Sequence, residues 1–184
     1  MLCTANQCRS PMAEALLRDR LAALGVDATV TSAGDHPGGV AVSPGSVRAM
    51  ARRGLDIGAH KSRSLTPEML ASTDLIIGMA RRHVRSAVAL HPATFGHTFT
   101  LKELVRRGHE VGPRQPGQPF AAWVAELHRG RTPTSLLGED ERDDVADPMG
   151  GSDVLYLATA EELAGLIDAF ADLAFGSTDK RETA

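Results

Sequence analysis

Five residues separate Cys3 from Arg9, and a hydroxyl residue, Ser10, follows the arginine at once. These residue types at this spacing suit thiolate chemistry on a tetrahedral oxyanion. Thr4, Ala5, Asn6, Gln7 and Cys8 are about enough to wrap one loop of backbone around the anion, with successive N–H groups pointing inward as a nest. Arg9, at the end of the loop, can fork two hydrogen bonds onto two of the anion's oxygens. Ser10 is placed to donate its hydroxyl to the Cys3 thiolate and to stabilise it again as a leaving group. Taken alone, the spacing fits a plainer reading equally well, with Cys3 an ordinary small residue and Arg9 a surface helix cap.

The loop needs an element behind it. Pro11 suits the first turn of a helix, where its missing N–H costs nothing. Met12, Leu16, Leu17, Leu21 and Leu24 then recur at three- and four-residue spacing, which predicts an amphipathic helix of about four turns ending near Gly25. The anion would meet the N-terminus of that helix, where free N–H groups and the macrodipole favour negative charge and a thiolate alike.

Further along, the pattern predicts a short strand at Ala28 to Ser32, a helix at Ser43 to Arg53 closed by Gly54, and a buried strand at Asp74 to Met79. A helix at Arg81 to Leu90, a strand at His97 to Thr100, a helical Leu101 to Arg107 and a long helix at Leu155 to Phe175 follow. Such alternation predicts an α/β fold, a three-layer sandwich whose central parallel sheet of about four strands is flanked by helices. Anion sites in such sheets lie at the carboxyl ends of strands. Only Met1 and Leu2 precede Cys3, against a usual strand length of ~5 residues, so the first strand is expected to be truncated. Either the natural start lies upstream of Met1, the favoured expectation, or the chain lacks a central strand.

Residues 1–175 read as a single domain and 176–184 as a polar, disordered tail. The stretch 107–141 is broken by glycines and prolines, with a short helix expected at Phe120 to Leu127. It reads as a lid beside Asp147 or, equally, as a surface elaboration. A net charge of −3 over 184 residues gives no reason to expect nucleic acid. No apolar run approaches the ~18 residues of a membrane span, and no signal peptide is visible. Two cysteines inside one loop are no disulfide framework. The expectation is a cytoplasmic enzyme without metal or cofactor.

The segment CTANQCRSPMAEALLR resembles the low-molecular-weight protein tyrosine phosphatase family, with Cys3, Asn6, Cys8, Arg9, Ser10 and Pro11 matching its loop. Ala5 stands where the family usually has glycine, and a positive φ there would strain it unless Asn6 takes up the bend. Thr31-Ser32-Ala33-Gly34 and Ala59-His60-Lys61-Ser62-Arg63 resemble the family's serine and histidine segments. The resemblance implies that Ser32 and His60 join Asn6 and Ser10 in a network behind the loop. Val145-Ala146-Asp147-Pro148 is similar to the family's Asp-Pro pair, which implies that Asp147 is the general acid and then the base. Asp143, Asp144 and Asp153 are acidic competitors nearby.

What the resemblance implies overall is a phosphomonoester hydrolase, protein tyrosine phosphatase-like, that passes through a phosphocysteine on Cys3. Its partners would be phosphorylated proteins or small aryl phosphates. The family's aromatic wall is missing, since Gly38 lies six residues past Ser32 and Met149-Gly150 follow Pro148. A replacement ring would have to come from Trp123, Phe120 or Tyr156, while His36, His83 and Asp35 read as solvated loop positions or, alternatively, as polar contacts in place of the wall. An arsenate reductase using a small thiol is the alternative, and a catalytically silent phosphoprotein-binding module is a third reading. In the family Cys8 can pair with the nucleophile, and a small thiol is a further candidate partner for Cys3 or Cys8.

Overall fold

A computed structural model describes residues 1–176; the expected tail beyond them lies outside the described residues. Four short strands, β1 (Leu2–Cys3), β2 (Ala33–Gly34), β3 (Ile76–Gly78) and β4 (Thr98–Thr100), form one sheet in the order β2-β1-β3-β4. All three pairings are parallel. The helices are α1 (Arg9–Ala23), α2 (Pro44–Ala51), α3 (Pro67–Ala71), α4 (Arg81–Leu90), α5 (Leu101–Val111), α6 (Phe120–His128) and α7 (Asp153–Phe175), with 3₁₀ segments at Pro92–His97 and Pro133–Leu136. The expected parallel sandwich is present. So is the central strand, two residues long: Leu2 pairs with Ala33 on one side and Gly78 on the other.

Strand alternation sorts the two faces. Leu2 and Ile76 pack with Leu70 of α3 and Ala87 of α4. Cys3 and Ile77 face the larger layer of α1, α5 and α7, with Met12, Leu104, Leu163 and Ile167 in its core. Hydroxyl caps start several helices: Ser43 accepts from Ser46 N–H, Thr100 from Glu103 N–H and Ser152 from Leu155 N–H.

The strand expected at residues 28–32 is absent; β2 begins at Ala33. A ladder needs a partner, and opposite β2 the partner is β1, reached last at Met1, whose amine donates to Thr31 O at 2.7 Å and whose carbonyl accepts from Ala33 N–H at 3.0 Å. Ahead of that point, residues 26–31 and 72–75 line a groove of about 860 Å³. Strand β3 begins at Ile76 rather than Asp74, where its ladder with β4 starts opposite Thr98.

Helix α5 runs on to Val111, four residues past the expected Arg107, because Leu101, Leu104, Val105 and Gly108 keep one buried face. At Gly108 a Cβ would come 2.8 Å from Leu173 Cδ1, so the absent side chain lets α7 approach. Stretch 107–141 is mainly a covering element. Helix α6 buries Trp123, Val124 and Leu127, and Arg131, inside the body, binds Glu103 at 2.7 Å and stacks over Phe99 at 4.0 Å. The end of the stretch docks on α4 through Arg85, which donates to Leu136 O and Gly138 O at 2.6 and 2.7 Å.

Candidate active site

Cys3 closes the central strand and α1 begins six residues later, so residues 4–8 must turn within one loop. Asn6 supplies the turn with φ of 52°, the one positive φ at a non-glycine among the described residues. Ala5 needs no left-handed backbone, and the strain considered for it does not arise. Helix α1 starts at Arg9, two residues ahead of Pro11, and Cys8 before it offers no side-chain cap. No acidic residue occupies its first turn either, leaving the first N–H groups free for an anion.

The polar groups behind the loop form one directed chain. Asn6 Oδ1 accepts from Arg63 N–H at 2.9 Å, which turns its Nδ2 toward two serines, Ser10 and Ser32, each at 2.8 Å. Ser10 Oγ therefore accepts from Asn6 and keeps its own hydrogen for Cys3 Sγ, 3.0 Å away. Ser32 sends its hydrogen on to Glu14 Oε2 at 2.5 Å, and its carbonyl accepts both Nε and Nη2 of Arg63. His60 Nε2 lies 3.0 Å from Asn6 O. The four residues grouped from sequence thus meet, with Glu14 and Arg63 as members that sequence reasoning missed.

Arg9 is 2% exposed and closes the other end of the loop. Its Nη1 donates to Val145 O at 3.0 Å and its Nη2 forms an ion pair with the Asp147 carboxylate. Burial lowers the Arg9 pKa from its ordinary value, and the carboxylate beside it opposes that shift. The segment bearing Asp147 is fixed to the end of β3, where Val145 N–H donates to Met79 O at 2.9 Å. The competing carboxylates are engaged elsewhere. Asp143 is buried between Arg81 and Arg106, Asp144 accepts from Arg81 N–H at the start of α4, and Asp153 pairs with Arg48.

A thiol aligned with a serine hydroxyl, a buried guanidinium and a carboxylate at the same loop make a site for attack on a phosphoryl group. The sequence model described as low molecular weight phosphotyrosine protein phosphatase matches residues 1–117. The chain belongs to this phosphatase family. A relative named a probable low molecular weight protein-tyrosine-phosphatase, EpsP of Ralstonia solanacearum, is 34% identical over 131 residues, 71% of this chain and 88% of its own length. A protein-arginine-phosphatase of Bacillus subtilis (strain 168) is 31% identical over 168 residues, 90% of this chain and 89% of its own. Among solved structures, the low molecular weight protein tyrosine phosphatase from T. tengcongensis superposes with a TM-score of 0.70 at 34% identity, covering 93% of this chain and 95% of that one. The protein is accordingly a cysteine-dependent phosphatase.

The phosphatase has no ring at the expected walls. At Gly38 a Cβ would come 2.7 Å from Ser62 O, so there is no room for a side chain. Phe120 stacks on Phe175 at 5.7 Å, and Trp123 donates to Gly112 O inside the body, so neither serves the loop. Tyr156 does come near it, with its hydroxyl 3.8 Å from Cys8 Sγ, yet at 6% exposure it offers almost no ring face to a cleft. Cys8 also touches Ser43 Oγ at 3.1 Å and Met149 Sδ at 3.8 Å. Gln7 holds the loop through its carbonyl, which accepts from Ser43 N–H at 2.9 Å. Asp35 and His36 are exposed, in line with the sequence reading. His83 corrects it: the ring is buried behind the loop, 3.0 Å from Thr4 Oγ1.

Gly34 lies directly beneath the loop, where a Cβ would meet Thr4 O at 2.7 Å, Asn6 N at 2.8 Å and Cys3 O at 2.9 Å. All three are backbone atoms and cannot rotate away. Gly34→Ala is expected to cost about 1–3 kcal/mol through overpacking, which lowers Tm by roughly 2–4 °C per kcal/mol, and to weaken competitive inhibition by phosphate. Thermal unfolding and inhibition assays read both; an unchanged Tm would show that the loop has slack.

Proposed function

We propose that Cys3 Sγ attacks the phosphorus of a phosphorylated protein, forming an S–P bond as the bond to the leaving atom breaks. Arg9 and the backbone N–H groups of residues 4–9 hold the nonbridging oxygens. Asp147 gives its proton to the leaving atom, then takes one from the water that hydrolyses the phosphocysteine. Ser10 stabilises Cys3 as it departs, with Asn6, Ser32 and His60 as its support. The observation that carries this reading is that Arg9 contacts Asp147 while Ser10, its chain neighbour, contacts Cys3. Residues 1–175 are read as one catalytic unit, because α7 packs along the helix that opens at the loop.

The substrate side chain has two readings. Phosphotyrosine follows from the family. Phosphoarginine is favoured by the ring-free mouth and by the arginine phosphatase match, which spans 90% of this chain against 71% for EpsP. No helix among the described residues is long and apolar enough to cross a membrane. Two free thiols suit a reducing compartment, and we place the enzyme in the cytoplasm. A small thiol as partner of Cys3 or Cys8 belongs to the arsenate reductase alternative.

Phosphate release should be measured from an aryl phosphate and from a phosphoarginine peptide. With the ester, Asp147→Asn is expected to lower kcat by about 10²–10⁴-fold, with KM near that of the wild type. Thiol-dependent arsenate reduction without phosphate release would replace this reading, and turnover of any phosphate substrate removes the silent binding module.

A further inference from the structure

Behind the loop and outside the set of residues assigned above, α4 presents two basic side chains in sequence. His83 is 1% exposed and its Nε2 faces two groups, Thr4 Oγ1 at 3.0 Å and Arg82 Nε at 3.3 Å. An arginine N–H can only donate, so Nε2 is an acceptor and the ring proton sits on Nδ1. Thr4 must then donate as well. Burial, helped by the charges of Arg9, Arg82 and Arg85, pushes the His83 pKa down to about 3, so the ring stays neutral at working pH. Nδ1 has no protein partner among the described residues, which leaves the two contacts at Nε2 to fix the ring.

Anchored at Nε, Arg82 extends its Nη2 to 3.7 Å from Asp147 Oδ2, the same oxygen that Arg9 Nη2 holds. Glu139 lies 3.4 Å from its Nη1, and Asp35 is close enough to feel the charge of Arg82. Arg9 Nη2 holds Asp147 and Nη1 holds Val145 O, while Nε has no hydrogen-bond partner among the described residues. On the proposed mechanism an Nε–Nη2 fork onto the phosphate shares Nη2 between the anion and Oδ2, and so loosens its hold on Asp147 just as that residue gives up a proton and becomes a carboxylate.

We propose that Arg82 is the positioning residue that receives this carboxylate, and that His83 and Thr4 set Arg82 in place and tie it to the loop. The inference rests on the reading of Asp147 as the acid. As the proton leaves Asp147 for the leaving atom, negative charge grows on Oδ2, and a guanidinium already aimed at that atom stabilises it without rearrangement. Leaving groups that need the proton most gain most. Phosphate binding, which belongs to Arg9 and the loop, does not depend on Arg82.

The test is a double-mutant cycle across a series of phosphate esters of increasing leaving-group pKa. Arg82→Gln is expected to lower kcat about tenfold for the most basic leaving group, the equivalent of one charge-assisted hydrogen bond, and little for nitrophenyl phosphate. Inhibition by inorganic phosphate stays unchanged, Arg82→Lys recovers part of the loss, and the effect vanishes in the Asp147→Asn background. An equal loss in both backgrounds, or none in the wild type, overturns the proposal. Failure of the acid assignment is distinguishable, because Asp147→Asn alone would then leave kcat intact. Nitrogen NMR of the wild-type protein gives an independent reading: His83 should be neutral with its proton on Nδ1 from pH 5 to 8, and a proton on Nε2 overturns the arrangement.

Discussion

Cys3→Ser is expected to abolish phosphate release from every substrate, a loss on the order of 10³-fold or more in kcat/KM, the scale of nucleophile deletions. Serine differs by one atom and fits the same buried position at the end of the central strand. Its hydroxyl oxygen, however, is a far weaker nucleophile than the cysteine sulfur, and no S–P bond can form. The loop N–H groups and Arg9 are untouched, so substrate and inorganic phosphate should bind about as tightly as before. Turnover assays paired with phosphate titration decide it. Retained activity would place the nucleophile elsewhere, and lost phosphate binding would mean that the loop had collapsed.

Arg9→Lys should show the complementary pattern. Charge is conserved and geometry is not: an ammonium cannot fork two parallel N–H bonds onto an oxyanion, nor reach Val145 O and Asp147 together as the guanidinium does. A fall of about 10²–10³-fold in kcat is expected, the range seen when one preorganised oxyanion donor is removed. Phosphate inhibition should weaken with it, in contrast to Cys3→Ser. The Val145 carbonyl also loses its donor, and thermal unfolding should report about 1–3 kcal/mol for that buried group. Kinetics near wild type would show that charge alone, and not the planar fork, holds the anion.

How much of this was legible in sequence depends on how far apart the partners lie along the chain. The loop is contiguous, so Cys3, Arg9 and Ser10 could be assigned roles from spacing and local chemistry. Asp147 was reached through resemblance, and its standing against Asp143, Asp144 and Asp153 is a matter of tertiary pairing that no spacing reveals. Glu14 carried a usable signal, since it lies four residues past Ser10 on the same helix and so on the same face. His83 carried little. Its burial comes from its place just past β3, where even a Cβ at Gly78 would lie 3.2 Å from the His83 Cβ. The strand misplaced at residues 28–32 has the composition of a strand, but whether a segment joins a sheet is decided by the length of its neighbour, here two residues.

The ion pair between Arg9 and Asp147 bears on product release. The guanidinium proposed to hold phosphate pairs with Asp147 through Nη2, so an anion that takes up that same donor competes with the carboxylate for it. A phosphoprotein can offset that cost with contacts outside the loop, whereas free phosphate has none to offer. As the product departs, the carboxylate closes on the guanidinium again. On the proposed assignment the site contains its own competitor for inorganic phosphate, and the acid of the reaction also limits product inhibition.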